Sequence, residues 1–523
     1  MTPENVLARF QRAKMQRSSW ETLWRDCYAY SLPSREDAPF AAPSSSGPAP
    51  RERLFDGTAP DAVDQLAASL LAELTPPWAR WFGFAPGREI PEQLHGDLSP
   101  KLERAAEIMQ QHFDRSNFAV EIHQCFLDLI VSGTACLSFE ETTPGQASAF
   151  RFAAVPLWDV VLEEGADGRL DVAYRRNRLS RLQLQARFPA AEIPASFSDE
   201  ADRLYTVIEA VTPREAGSGY DYCAVLEGGA EKSSGPHLLV HAHLDQSPFL
   251  SFRWMKAPGD VYGRSPVMKA LPDIKTANKV VELTLKNAAI AVTGIWQADD
   301  DGVLNPATVK LVPGTIIPKA VGSSGLTPLQ PPGNFNVSDL TLATLRQAIR
   351  SSLLTDRLAT VATPGMTATE VLHRAAETAR LLGATYGRLQ AELLTPLVAR
   401  ALTILSRRGE LPNLALDGRT ITLQYRSPLA RQQAQLEAQG ALSWLDIAKQ
   451  LGPDAAAILD APKAARWAAK MLDLPASLLR PDSLLTDTAP PDVSPANASP
   501  VDVAPTEIPP ALVDPQHAPS IKG

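Results

Sequence analysis

The chain has 523 residues, a formal net charge of −9 and a hydrophobic content of 45%, which is ordinary for a globular protein with several subdomains. Its four cysteines are scattered without a C-x-x-C pair, which argues against a disulfide scaffold or a zinc site and fits a reducing cytosol. The N-terminal residues lack the pattern of a secretory signal, and no apolar run reaches the ~20 residues of a membrane helix. We therefore expect neither secretion nor membrane insertion.

The N-terminal part of the chain is predicted to be helical. Thr2 as N-cap and Pro3 at the first position begin a helix that runs to about Ser31. An Ala/Pro/Ser-rich loop follows over 39–50, and a second helix over 61–74 ends at two prolines. The next segment holds four aromatic residues, for which we predict core packing rather than base stacking because few basic residues interleave. These are Trp78, Trp81, Phe82 and Phe84.

A β-rich region extends from about residue 137 to residue 252. Seven short apolar segments within it alternate with turn residues. Gly165-Ala-Asp-Gly168 predicts a turn between two of these strands, and 178–188 predicts a short inserted helix. The predicted strands begin at Leu137, Phe152, Val160, Val172, Tyr205, Tyr222 and Leu238.

The segment His241-Ala-His-Leu-Asp245 resembles the H-x-H-x-D metal motif of metallo-β-lactamase-type hydrolases. On a strand, His241, His243 and Asp245 would share one face. Gln246 stands where that family has another histidine, so we favour a polar sheet face and expect no metal. A metal-dependent hydrolase using these three residues stays the alternative function. P-loop and nucleophile-elbow motifs are absent from the sequence.

Two helices flanking a small β module come next. Ser265 and Pro266 begin the first by the N-cap rule, and Pro272 is expected to end it so that a second helix opens at Asp273 and runs to about residue 291. Residues 296–336 predict a Gly/Pro-punctuated β region. Ser338 is predicted to cap another helix that runs to about Asp356. This order predicts an antiparallel helix pair closed by a compact tip.

The last third of the chain begins with a Pro-Gly loop at 360–366 and a long amphipathic helix from Thr367 to Arg408. Thr367 and Glu370 form a capping box, and Pro396 is expected to kink the helix rather than stop it. A strand over 420–425 and Ala/Leu-rich helices over 429–479 follow. Residues 481–523 hold ten prolines, six acidic residues and one lysine, and we predict that this tail is disordered.

Three sequence blocks resemble the portal (head-to-tail connector) proteins of podovirus-type bacteriophages. The first reads R-L-F-D-G-T-A over 53–59, followed by A-A-S-L-L-A-E-L-T-P-P-W-A-R-W-F over 67–82. The second reads G-D-V-Y-G-R-S-P-V-M-K-A-L-P-D-I over 259–274. The third reads M-T-A-T-E-V-L-H-R over 366–374 and R-L-Q-A-E-L-L-T-P-L-V-A-R over 388–400.

The resemblance implies an α+β, mainly helical portal fold with a wing, a stem helix pair, a small β-rich clip, a long kinked wing helix and a helical crown. It implies these boundaries: N-terminal helices and β-rich wing 1–258, first stem helix region 259–291, clip 292–337, second stem helix 338–358, tunnel loop 359–366, long wing helix and return strand 367–426, crown 427–480, tail 481–523.

The same resemblance implies a non-enzymatic protein without cofactors that forms a ring, usually of twelve subunits, at one capsid vertex of the virion, after assembly in the host cytoplasm. Its implied partners are the terminase large subunit, tail adaptors, major capsid and scaffold proteins, and double-stranded DNA that passes non-specifically. The low content of basic runs fits a channel in which DNA slides. The implied tunnel loop comprises Thr360, Val361, Ala362, Thr363, Pro364, Gly365 and Met366. The implied motor-binding clip carries Asp299, Asp300, Asp301, Lys310 and Lys319.

Overall fold

The computed structural model describes residues 2–35, 54–192, 203–214, 217–227, 235–293, 335–358, 385–412 and 418–425, with short pieces at 296–297, 321, 327–328, 383 and 416 and between 438 and 469. These residues form an α+β fold in which helix exceeds strand. The helices are α1 Pro3–Ser31, α2 Thr58–Leu74, α3 Glu92–Asp114, α4 Phe118–Ser132, α5 Arg181–Arg187, α6 Pro266–Thr293, α7 Phe335–Ser352, α8 Thr355–Leu358 and α9 Thr385–Arg407. The strands are β1 Phe82–Pro86, β2 Thr134–Glu141, β3 Phe150–Val155, β4 Val160–Glu163, β5 Val172–Leu179, β6 Tyr205–Pro213, β7 Tyr220–Leu226, β8 His237–Leu244, β9 Phe249–Arg253, β10 Trp296–Gln297, β11 Thr327–Pro328 and β12 Ile421–Tyr425.

The largest sheet is antiparallel, in the order β4-β5-β6-β7-β8. One face packs against α1 through Val6, Phe10 and Ala13. The other face packs against α5 through Leu184, with Phe188 beside it. Each of the seven predicted strands is confirmed, because alternating apolar residues on a half-buried surface are a local signal.

The turn and the cap predicted in this part of the chain are confirmed as well. Gly168 has φ +75° and donates its N–H to the carbonyl of Gly165. Thr2 accepts the N–H of Asn5 at the start of α1.

Two smaller antiparallel sheets connect distant parts of the chain. Strand β2 lies between β3 and β9, and β1 pairs with β12. The pairing of Phe82 with Tyr425 brings the first family block next to the predicted return strand. The main hydrophobic core includes residues of these sheets and of α4, which is buried at every position from Cys125 to Ser132.

The predicted packing of the aromatic segment is confirmed for three of its four residues. Trp81, Phe82 and Phe84 are at most 6% exposed, and Trp81 stacks on Phe118 at 6.2 Å between ring centroids. Trp78 is 72% exposed, so the prediction of core packing is wrong for this residue. It follows Pro76 and Pro77 in an irregular turn, which directs its indole away from the core.

Two helix predictions are corrected by the structure. α6 continues through Pro272 rather than breaking there. Proline removes one backbone hydrogen bond, but Leu271, Ile274 and Ala277 are buried and hold the helix on both sides of that position. α7 begins at Phe335 rather than at Ser338, and it ends at Ser352, since Leu354 has a φ of +60° that interrupts the helix before α8.

The described part of the long helix, α9, runs without interruption past Pro396. A π-helical turn over Gln390–Leu394 precedes the proline, and the backbone N–H and hydroxyl of Thr395 both donate to the carbonyl of Gln390. The hydrogen-bond pattern of the helix thus changes immediately before Pro396, which has no backbone N–H to donate. The kink itself stays a prediction.

α9 is also, among the residues that the structure describes, the one helix long and apolar enough to cross a membrane, with a mean hydropathy of 1.2. Half of it is buried inside the protein, and Leu389, Leu393, Leu397, Ala401 and Leu405 lie in the main core. Those five positions are part of the predicted apolar stripe, which is confirmed over this length.

Candidate functional site

The most distinctive feature of the described fold is a helical hairpin formed by α6 and α7. Its inner end is seated in the core through Ile274, Ala277, Ile349 and Leu353. Farther along, none of the described side chains over 279–289 or 339–348 is buried. The short antiparallel pair of β10 and β11 joins the outer ends of the hairpin. The two helices thus extend away from the body that anchors them.

Asp56, in the first family block, clamps the base of this hairpin. Its Oδ2 lies 2.8 Å from Nη2 of Arg346 in α7, and its Oδ1 accepts the N–H of Thr58 at 2.9 Å, at the start of α2. Asn278 in α6 accepts the backbone N–H groups of Phe55 and Asp56 at 2.7 and 3.1 Å. One short segment therefore fixes both helices of the hairpin to α2.

The Asp56 carboxyl is held in its ionised form at this site. Burial by itself would raise its pKa, but the hydrogen bonds from Thr58 and the ion pair with Arg346 outweigh burial and lower the pKa below the ordinary 3.8. A carboxylate with two different partners stabilises the contact more than an exposed ion pair does. Hydrogen bonds to charged groups contribute more to stability than hydrogen bonds between neutral groups.

Asp56→Asn is expected to weaken the clamp by about 1.5–3 kcal/mol, because the charge that both partners use is lost. Because the pKa of Asp56 is lower in the folded protein than in the unfolded chain, its contribution is complete above about pH 4 and lost as the pH falls through the folded pKa. The difference between the urea midpoints of the variant and the original protein should therefore be constant from pH 7 to about pH 5 and narrow as the pH falls below about 4. A constant difference across this range would contradict the assignment.

Two glycines let the start of α6 approach the end of α4. Gly133 ends α4 with φ +79°, and a Cβ on it would lie 2.3 Å from the Gly263 carbonyl oxygen. A Cβ on Gly263 would lie 2.1 Å from the Gly133 oxygen. Gly263 N–H donates to Thr134 at 2.8 Å, and the Ser265 hydroxyl donates to the Val131 carbonyl at 2.9 Å. The start of the hairpin is therefore hydrogen-bonded directly to the end of α4.

Ser265 also accepts the N–H of Met268 at 2.9 Å. It is therefore the N-cap that the sequence predicts for α6.

A buried ion pair fixes α9 beside the same junction. Arg253 at the end of β9 is 0% exposed, and its Nη2 lies 2.7 Å from Oε1 of Glu392. The Arg253 backbone N–H also donates to Glu392 at 2.9 Å. The guanidinium donates further to the carbonyls of Val261 and Gly168 at 3.1 and 3.0 Å. These bonds join the second family block to the third.

Arg400 attaches the next turns of α9 to the strands. Its guanidinium donates to the carbonyl oxygens of Phe139 and Gln246 at 2.8 and 2.7 Å. Burial, followed by the nearby charge of Arg407, lowers the pKa of Arg400 to about 10. The third block thus supplies both polar anchors, Glu392 and Arg400, together with the buried leucines between them.

Most of the residues that the sequence nominates for function fall outside the described residues. This holds for the tunnel loop 360–366, for the capping residues Thr367 and Glu370, and for the clip residues Asp299, Asp300, Asp301, Lys310 and Lys319. Their roles stay predictions. The described residues that fix the hairpin, which are Asp56, Arg253, Asn278 and Glu392, carried no individual prediction.

The histidine pair of β8 lies away from the hairpin base, on an exposed face of the large sheet. His241 and His243 are exposed, while Ala242 and Leu244 between and beyond them are half-buried, as a polar sheet face predicts. The third ligand expected from the sequence, Asp245, is not part of the group of potential ligands; Asp221 of β7 takes that position.

The outer part of the hairpin exposes three leucines to solvent. Three distant segments converge to fix a hairpin whose outer length carries exposed Leu283, Leu285 and Leu340.

Comparisons with known proteins identify the family. The family model described as "Bacteriophage head to tail connecting protein" matches residues 4–479. The chain is 25% identical over 509 residues to the "Probable portal protein" of Bordetella phage BPP-1, covering 91% of this chain and 88% of that relative. It is 24% identical over 459 residues to the "Portal protein" of Salmonella phage epsilon15, covering 82% and 80%. A chain from the virion of a native gene transfer agent particle aligns with 80% of this chain and 91% of its own length, at 14% identity and a TM-score of 0.37. The chain belongs to the bacteriophage head-to-tail connecting protein family, as the three blocks indicated.

Proposed function

We propose that this chain is the subunit of a portal ring at one vertex of a phage-type capsid, through which DNA is packaged and ejected. The observation that carries the proposal is the anchored hairpin of α6 and α7, in a chain whose family match extends over residues 4–479. In a ring, hairpins from successive subunits stand side by side around a central channel. Head-to-tail contacts of this kind close when the rotation between subunits is right.

The charges on the hairpin suit a channel that DNA must slide through. On α6, Glu282 bonds to both Lys279 and Lys286, so two of the exposed cations are already paired. Phosphate contacts release counterions and strengthen DNA binding with each free cation. Lysines that are paired within the helix bind phosphate groups less strongly. DNA can therefore move past the hairpin rather than being held at fixed positions.

Electron microscopy of the purified full-length chain tests the ring directly. We expect class averages of a ring with a central hole, with twelve subunits as the proposed number. Leu340→Glu should weaken ring formation, because Leu340 is 74% exposed on α7 and a neighbouring subunit would cover it. Leu182→Glu is the matched control, since Leu182 is 77% exposed on α5, away from the hairpin. A clean monomer at high concentration would contradict the proposal.

The loop 360–366 is proposed as the tunnel loop that faces DNA. Replacing Val361 to Met366 with a Gly/Ser linker of equal length should spare ring formation and impair packaging or retention of the genome. The measurement is packaged DNA per particle, with ring images of the same preparation as control. Unchanged DNA content would remove the role assigned to this loop.

Further roles follow from the same proposal. The segment 292–337, with Asp299, Asp300, Asp301, Lys310 and Lys319, is proposed to bind the terminase large subunit first and tail adaptors later. The major capsid and scaffold proteins would contact the wing. The protein would act without catalysis, in the host cytoplasm during assembly and in the virion afterwards. The alternative hydrolase built on His241, His243 and Asp245 gains no support from the relatives, and Asp245 lies outside the ligand group.

A further inference from the structure

Three potential metal ligands lie together on one face of strands β7 and β8. Asp221 and His243 stand directly opposite one another in the antiparallel register, and His241 stands opposite Cys223. Directly opposite residues share a face, as do residues two apart along a strand. Asp221, His241 and His243 therefore point the same way, on the outermost pair of strands in the five-stranded sheet.

Distances within this group suit a single cation. One ligand atom from each residue lies within 4.8 Å of the others. Nδ1 of His243 lies 2.5 Å from Oδ1 of Asp221, and the two imidazole rings are 5.1 Å apart between centroids. Ligands at ~2.0–2.1 Å around a tetrahedral ion are roughly 3.3 Å from one another. Small rotations of the two exposed histidines and of the half-buried Asp221 would bring all three atoms to that spacing.

We propose that Asp221, His241 and His243 bind one divalent transition-metal ion of the zinc class. Two imidazole nitrogens and one carboxylate oxygen are ligands that zinc and its neighbours prefer, whereas calcium and magnesium prefer all-oxygen sites. Three protein ligands leave a fourth position open to water or to a side chain of another molecule. The proposal is independent of the portal function, since the site lies on the wing sheet and not on the hairpin.

Two neighbouring groups shape the site. Arg214 Nε lies 3.7 Å from Asp221 Oδ1, so its charge competes with a cation for the carboxylate. Cys223 shares the face of the group but is 1% exposed. A neutral buried thiol is a poor metal ligand. The site is thus a histidine–carboxylate site rather than a thiolate site.

Zinc titration of the purified full-length protein, in competition with a chromophoric chelator, tests the proposal. We expect one zinc per chain. His241→Ala and His243→Ala should each weaken binding at least about 100-fold, and Asp221→Asn at least about tenfold. His237→Ala is the matched control, because His237 is on the same strand but contacts the carbonyl of Glu192; it should change nothing. Cobalt added in place of zinc should give the visible absorption bands of a four-coordinate nitrogen and oxygen site.

A second set of variants tests how the two neighbouring groups affect zinc binding. Arg214→Gln should tighten zinc binding by up to about fivefold, because the competing surface charge is gone. Cys223→Ser should leave the affinity unchanged. The proposal is overturned if zinc binding is absent, if it persists in the His241→Ala/His243→Ala double variant, or if only Cys223→Ser abolishes it. Both histidines are exposed, so their replacement by alanine should leave the protein folded. Circular dichroism of each variant checks this.

Discussion

Glu392→Ala is expected to destabilise the protein by about 3 kcal/mol, because it removes the carboxylate that bonds the buried guanidinium of Arg253. The remaining carboxylate, Glu164, lies farther away, at 3.8 Å from Nη1. Arg253 is 0% exposed, and no water shell can replace the carboxylate that lies 2.7 Å away. The backbone N–H of Arg253 would lose its acceptor as well. The urea midpoint of the variant should therefore be much lower than that of the original protein. Tryptophan fluorescence and circular dichroism both measure this midpoint.

Controls distinguish this buried pair from ordinary surface charge. Glu107→Ala removes a pair with Arg104 whose side chains are 46% and 68% exposed, and it should cost no more than about 0.5 kcal/mol. Glu392→Gln retains an acceptor without the charge and should fall between the two. Arg253→Met combined with Glu392→Ala should cost less than the sum of the single changes, since no buried charge remains unpaired. A loss below about 1 kcal/mol for Glu392→Ala would show that the pair does not hold α9 in place.

Local patterns in the sequence predict the elements that have local causes. The N-cap at Thr2, the glycine turn at 165–168 and the alternating strands follow from residues close together in the chain, and the structure has each of them. The helices α3 and α4 were not predicted. The second half of α4, from Cys125 to Ser132, is buried at every position, so it lacks the one-sided periodicity that marks a surface helix.

The residues of the hairpin base could not be predicted individually, since their partners are far away in the sequence. Asp56 bonds to Arg346, and Arg253 bonds to Glu392. A weak signal exists in each case: Arg253 is a lone charge ending an apolar strand, and Glu392 stands among buried leucines of α9. A charge within an apolar run implies a buried partner, but only the fold shows which one. The helix end predicted at Pro272 is wrong because local rules omit the buried residues that hold α6 together.

Gly263→Ala is expected to destabilise the protein by at least about 3 kcal/mol, because the new methyl group has no space. Its Cβ would lie 2.1 Å from the carbonyl oxygen of Gly133 and 2.9 Å from Cβ of Arg253. Both neighbours are fixed, since Gly133 ends α4 and Arg253 holds Glu392. The start of α6 would have to move, and the hairpin with it. The measurements are the urea midpoint and the fraction of ring particles in electron micrographs.

Alanine variants of four glycines distinguish the effect of a steric clash on stability from the effect of backbone strain. Gly133→Ala combines a contact of 2.3 Å with a φ of +79° and should be as damaging as Gly263→Ala or more so. Gly259 has a φ of +85° but open space, so Gly259→Ala should cost only about 1–2 kcal/mol. Gly57 has a φ of −84° and open space, so Gly57→Ala should stay within about 1 kcal/mol.

The Gly133→Ala/Gly263→Ala double variant decides whether the two positions form one contact. Each single change separates the end of α4 from the start of α6, so the second methyl group meets a gap already opened by the first. The combined loss should then be smaller than the sum of the single losses. Fully additive losses would mean that the two glycines act separately, and that the hairpin is held mainly by Asp56 and by the buried residues around Ile274.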